Sequence, residues 1–242
     1  MPTVTLNRSV VEKSIGKKVS LDELKEAISY LGTDLEGIDG EEITVEIFPN
    51  RPDLLSEQGL GRALSSYFGK KTGLQDYEVK KSSYELVVEK STKDVRPNTA
   101  CAVVKGLTFD DEKIKEIVQI QEKLHVTFGR NRRKCAIGVY PLDKIQFPIT
   151  FTGRDPKTVS FIPLESPAGK EMTGLQVLSK HPTGREYAQL LEGMDKFPFF
   201  FDANGNVLSM PPIINSHSVG KISHETKDVF VECSGFDQAV LE

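Results

Sequence analysis

The sequence predicts an α+β chain in two parts: a small N-terminal α+β unit, then a larger, strand-rich region of mixed α/β character. Three observations predict it. Two amphipathic helical patterns, near residues 20 and 60, bracket a run with the period-two alternation of a half-buried strand. Beyond residue 83 short apolar runs recur, several separated by Gly, Pro or Asn, the punctuation of a sheet-rich fold. The stretch 69–83 is rich in Lys, Gly and polar residues and lacks periodicity, which places a boundary there, dividing the chain into 1–78 and 79–242. A length of 242 residues allows each part its own core.

Each element has a local reason. Ser20 and Glu23 form a capping box, after which Leu21, Leu24, Ile28 and Leu31 share one helical face and Gly32 stops the helix. In "EEITVEIF", Ile43, Val45 and Ile47 alternate with Thr44, Glu46 and Phe48, and "PNRP" ends the strand. Asp53 is expected to cap a second helix with Leu60, Ala63, Leu64, Tyr67 and Phe68 on its face and Gly69 as its stop; Arg51 reads as the turn partner of Asp53 or a surface charge. In the second region "YELVV", "ACAVV", "CAIGV", "TVSFI", "FPFFF", "NVLSM" and "DVFVECS" read as strands. A helix between "FDD" and "FGR" carries the apolar arc Ile114, Ile117, Val118, Leu124 and Phe128. "DANG" supplies Asn-Gly turn chemistry and pairs Phe199–Phe201 with 206–208 in a tight hairpin. Pro211 then stops the strand Val207–Met210, because a proline cannot donate to the ladder.

Composition excludes more than it assigns. A net charge of −4 argues against a surface that binds nucleic acid all over. No apolar run approaches the roughly 20 residues of a membrane span, and "MPTVTLNRSV" lacks the apolar core of a secretion signal, so a cytoplasmic location is expected. Cys101, Cys135 and Cys233 form no CxxC pair and read as buried free thiols. His125, His181, His217 and His224 lack metal-ligand spacing, a Gly-rich phosphate loop and a GxSxG elbow are both absent, and "GLGRAL" lies within a helix, where small residues serve close packing. The cluster Arg130, Arg132, Arg133 and Lys134 follows a helix end, where positive charge either complements the macrodipole or contacts nucleic acid. On "DVFVECSG", Val229, Val231 and Cys233 face one way while Phe230, Glu232 and Ser234 face the other. That second face is either a small polar pocket with an apolar wall or a solvated strand surface.

Three stretches, "EIFPNRPDLLSEQGLGRAL", "VLSMPPIINS" and "DVFVECSGFD", resemble the β subunit of phenylalanyl-tRNA synthetases in its archaeal and eukaryotic form. The likeness extends through "LQVLSKHPTGREYAQLL" and the "QEKLH" helix; the oligonucleotide-binding barrel inserted in bacterial β subunits is replaced here by "GIDGEE". Because the family subunit continues for several hundred residues, the chain is expected to be an N-terminal fragment. The resemblance implies a winged-helix-like assembly domain at 1–78 and an editing domain at 79–242 that hydrolyses Tyr mistakenly esterified to tRNA(Phe). A pocket shaped for an apolar side chain rejects poorly a near-isostere carrying one added hydroxyl, whereas a site that hydrogen-bonds the hydroxyl discriminates about 10⁴-fold.

By the same resemblance Glu232 would accept from the phenolic hydroxyl, with Ser209 and Ser234 near the amino acid and Phe200 as an apolar wall. Asn215 and Ser216 would bind the α-amino group or the ester, or else stabilise the turn. With no triad, catalysis is expected from a water positioned against the ester, aided by a hydroxyl of the terminal ribose. The implied partners are the α subunit, in an assembly of two α and two β, and tRNA(Phe), which Arg130, Arg132, Arg133 and Lys134 would contact; the implied editing ligand is tyrosine. No cofactor or metal is expected in this fragment, ATP and Mg belonging to the α subunit of the parent enzyme. The alternative is a noncatalytic portion that holds the subunits and tRNA.

Overall fold

The computed structural model describes residues 2–166 and 169–241. The chain divides into two compact units, residues 1–80 with 115–128, and residues 81–114 with 129–242. The division after 80 lies close to the expected one after 78, but the segment 115–128, assigned by sequence to the second region, packs within the first unit.

In the first unit β1 (Thr3–Asn7), β2 (Asp34–Asp39) and β3 (Glu42–Glu46) form an antiparallel sheet in the order β1-β3-β2. Helices α1 (Arg8–Ile15), α2 (Leu21–Tyr30) and α3 (Glu57–Tyr67) accompany it. Val4, Leu6, Ile43 and Val45 bury one face of the sheet in a core with Val11, Ile15, Leu24, Ile28, Leu60 and Leu64, and Leu124 packs against that core. The capping box of α2 is present, with Ser20 accepting from Glu23 N and Glu23 accepting from Ser20 N. The cap of α3 is a correction: Ser56 Oγ accepts from Gly59 N at 2.9 Å, and Asp53 instead lies in a 3-10 turn, Pro52–Leu54. Pro52 and buried Leu54 set that extra turn ahead of the helix, and Arg51 occupies both carboxylate oxygens of Asp53, at 2.9 and 2.8 Å.

The second unit carries two sheets. The first contains β4 (Leu86–Val88), β7 (Ile149–Arg154), β10 (Phe197–Phe201), β11 (Val207–Met210) and β12 (Ile214–Asn215) in the order β12-β11-β10-β7-β4. The second is antiparallel, β5 (Asn98–Val104), β13 (Val229–Gly235) and β6 (Cys135–Pro141), with β13 in the middle and paired to each neighbour over seven residues. A two-stranded ribbon, β8 (Ser160–Phe161) with β9 (Met172–Thr173), precedes α5 (Gly174–Lys180) and α6 (Pro182–Tyr187). Helix α4 (Asp111–Val126) follows β5, and α7 (Gln238–Leu241) follows β13. Phe151, Phe200, Leu208, Tyr140 and Phe230, from strands of both sheets, form one core cluster; Phe197, Phe199, Val207 and Met210 form another with Val177 and Tyr187. The hairpin at "DANG" differs in register from the expected tight turn, with Phe200 opposite Ser209 and Phe201 opposite Val207. The cause is the buried Asp202, whose Oδ1 accepts from Asn204 N and Asn206 N and draws the loop into a wider turn, shifting the ladder.

Candidate functional site

The side chain at the centre of the site is one the sequence reading did not single out. Tyr140, on β6, is fully buried, and its hydroxyl lies 2.8 Å from Ser209 Oγ, 3.1 Å from Glu232 Oε1 and 3.4 Å from Asn215 Oδ1. It thereby joins Glu232 on the middle strand of the three-stranded sheet to Ser209 on β11 and Asn215 on β12. The local reason is the pleat: Tyr140 is opposite Phe230 and Gly138 opposite Glu232, so all four lie on one face. Gly138 is obligatory there, because a Cβ would stand 2.2 Å from the Tyr140 hydroxyl and 2.5 Å from Glu232 Oε1.

Glu232 is 2% exposed, which excludes the solvated-strand reading of its face. Its Oε1 accepts from Tyr140, while Oε2 is buried and has no hydrogen-bond partner among the described residues. Burial pushes its carboxyl up to about 8, against the opposing effects of the Tyr140 hydrogen bond and the Arg96 charge. Arg96 is itself almost wholly buried, and its guanidinium donates from Nε to Ser234 Oγ at 3.0 Å and from Nη2 to the Ser234 carbonyl. Burial pulls it down to about 10, partly offset by Glu232. Ser234, two positions along the same face, is thus already bonded to this cation.

The structure therefore brings Ser209, Asn215 and Glu232 together through one phenol and leaves Ser234 one step away. Phe200 is directly opposite Ser209 on β10, and its ring stacks on Phe151 at 4.2 Å within the core. Ser216 is buried in the scaffold: its N–H donates to Leu208 O at 2.8 Å, its carbonyl accepts from Gly220 N, and its Oγ lies 3.4 Å from Ser218 Oγ.

The basic cluster divides. Arg130, Arg133 and Lys134 are exposed, but Arg132 is buried and donates from Nη1 to the carbonyls of Pro212, at 3.3 Å, and Ile213, at 2.8 Å, with its guanidinium 4.2 Å from the centre of the Tyr187 ring. Backbone in the left-handed region at 130, 131 and 132 turns this arginine inward, where it fastens the turn that follows β11. That turn contains a cis Pro211–Pro212 bond. Neither the position of Tyr140 nor that of Arg96 had a signal in the sequence beyond a strand aromatic and an arginine before a proline; Gly138, a lone glycine in an apolar strand, was the one readable hint of close approach.

Of the three cysteines only Cys135 is buried; Cys233 is half-buried and Cys101 exposed. Among the described residues no group of three or more His, Cys, Asp or Glu could hold a metal ion, and no helix is long and apolar enough to cross a membrane.

A buried carboxyl and hydroxyls held between the two sheets of the second unit make a candidate recognition site, and comparison with known proteins gives the class. Residues 1–70 match the family model described as Phe-tRNA synthetase beta subunit B1 domain. The chain is 41% identical over 240 residues to the phenylalanine–tRNA ligase beta subunit of Archaeoglobus fulgidus, covering 99% of this chain and 43% of that one. It is 39% identical to the corresponding subunit of Pyrococcus horikoshii over 98% of this chain and 43% of that one. The crystal structure of an N-terminal fragment of the phenylalanyl-tRNA synthetase beta-subunit from Pyrococcus horikoshii superimposes with a TM-score of 0.92 at 36% identity, covering 99% of this chain and 70% of that one. The chain belongs to the phenylalanyl-tRNA synthetase β-subunit family and corresponds to its N-terminal part. It spans about two fifths of the length of the curated relatives it matches, 43% of the Archaeoglobus subunit.

Proposed function

We propose that the second unit is the editing module of a phenylalanyl-tRNA synthetase, hydrolysing Tyr that has been esterified to tRNA(Phe). The observation that carries this reading is the unpartnered Oε2 of buried Glu232, beside Ser209 and Asn215. A buried carboxyl oxygen with no partner is costly, and a ligand hydroxyl relieves that cost where a bare phenyl ring cannot. Ionised, Oε2 accepts from a phenol; protonated, it donates to the phenol oxygen. Either form selects the hydroxylated side chain. Glu232 is then a specificity residue, and hydrolysis proceeds by a water positioned against the ester, assisted by a ribose hydroxyl of the tRNA.

In this reading Ser209 and Asn215 line the site, Ser234 lies next to Glu232 under Arg96, and Phe200 and Ser216 support it from behind. Arg130, Arg133 and Lys134 offer exposed charge to the tRNA backbone. Synthesis of the ester, with ATP and Mg, falls to an α subunit in a cytoplasmic assembly of two α and two β, to which the first unit contributes assembly contacts. The test is Glu232→Ala in the assembled synthetase. Deacylation of Tyr-tRNA(Phe) is expected to fall at least 100-fold while charging with Phe stays intact; unchanged deacylation would remove the assignment.

A further inference from the structure

The Tyr140 phenol sits where the chemistry of the site already recognises a phenol, yet it is a fixed part of the protein. Its ring belongs to the core cluster with Phe151, Phe200, Leu208 and Phe230, and its ring centre is 6.0 Å from that of Phe230. A fully buried ring in a close-packed cluster does not vacate its place for a ligand. The hydroxyl has one proton and three acceptors within reach. When it donates to Glu232, the bond to Ser209 must run the other way, from Ser209 to Tyr140.

We propose that Tyr140 is the positioning residue that sets specificity here: by holding Oε1 of Glu232 it leaves Oε2 as the single carboxyl atom offered to a ligand hydroxyl. This rests on the editing reading and adds to it. With Oε1 committed as an acceptor, a proton on the carboxyl resides on Oε2, where it can be donated; once that proton leaves, Oε2 is the free acceptor. Without Tyr140 the two oxygens become equivalent, the carboxyl can rotate, and the site loses its registration with a para-hydroxyl. Gly138 belongs to the same device, since only a residue without Cβ lets the phenol and the carboxyl meet.

The charged and titratable groups around Glu232 are few. Tyr140 faces it from β6, Cys101 is opposite on β5, Cys233 adjoins it on β13, and Arg96 supplies the positive charge. β11 and β12 contribute the neutral Ser209 and Asn215. The Tyr140 bond favours the ionised carboxyl, so its removal moves the titration of Glu232 upward from about 8.

The experiment has two arms. In the full chain carrying glutamate labelled with ¹³C at the carboxyl, Tyr140→Phe is expected to raise the Glu232 NMR titration midpoint by about one pH unit. In the assembled synthetase the same variant is expected to lower the ratio of Tyr-tRNA(Phe) to Phe-tRNA(Phe) hydrolysis about tenfold or more. 4-Fluorophenylalanine at position 140, which keeps the ring but cannot donate to Oε1, should reproduce both changes if Tyr140→Phe proves unstable. An unmoved midpoint together with an unmoved ratio overturns the proposal. If Glu232→Ala left Tyr-tRNA(Phe) hydrolysis intact, the editing reading would fall by itself, and the midpoint would still decide whether Tyr140 governs the carboxyl.

Discussion

Glu232 shows how one residue can carry a cost in stability. Its folded value of about 8 lies above the ordinary 4.5 because burial disfavours the charge. The folded state therefore holds a proton that the unfolded chain has already released between those two values. Stability contributed by the neutral, buried carboxyl is complete below about 4.5 and is lost as pH rises through about 8. Glu232→Gln keeps the shape and removes the titration. The variant should melt within a degree of the wild type near pH 4.5 and higher at pH 8, by about 2 °C or more for a penalty above 1 kcal/mol. Equal melting temperatures at pH 8 would show that the carboxyl ionises without penalty. The sequence announced Glu232 through the parity of "VFVECS", where an acid shares a face with Phe230 and Ser234. It did not announce Arg96 or Tyr140, which reach this face across 138 and 92 residues of chain and depend on register that no local pattern encodes.

Among the elements, those with strong local signals were the legible ones. The helix α2 was readable from its capping box, β3 from its alternation and the end of β11 from Pro211, because each is set by neighbours in sequence. By contrast β7, the strand between β10 and β4, went unread: Pro148 and Gly153 interrupt "PITFTGR", and its place in the sheet comes from partners far along the chain. In sequence the cluster 129–134 reads either as charge complementing a helix end or as a nucleic-acid contact, yet its arginine at 132 is buried and structural, a role invisible without the left-handed turn that aims it. Arg132→Ala deletes donors to two buried carbonyls, and charge-assisted bonds of this kind contribute about 1.5–3 kcal/mol each. The amides of Ile213 and Ser216, bonded to Met210 O and Leu208 O, should then exchange with solvent at least about tenfold faster, while those of β13 hold their protection. Uniform acceleration over both would mean global destabilisation, and no acceleration would mean that Arg132 does not fasten the turn.

For the whole molecule the division of labour follows from where each core is made. The first unit closes its core from residues 1–80 and 115–128, so its helices and sheet are built mostly from near neighbours. The site, in the second unit, needs β6, β11, β12 and β13 together, and thus needs that unit complete. A ligand that binds only the assembled site must stabilise the unit against unfolding, by RT ln(1 + [L]/Kd). Free tyrosine at ten times its Kd would add about 1.4 kcal/mol by this relation, which for a unit of this size is a rise of roughly 3 to 6 °C in melting temperature. Phenylalanine, which leaves Oε2 of Glu232 unpartnered, should give no rise at the same concentration, and Glu232→Ala should erase the response to tyrosine. A thermal shift that follows the aromatic ring alone, equal for the two amino acids, would place recognition in apolar contact and not in the carboxyl. A shift confined to tyrosine and abolished at Glu232 would tie the stability of the unit to a single oxygen atom.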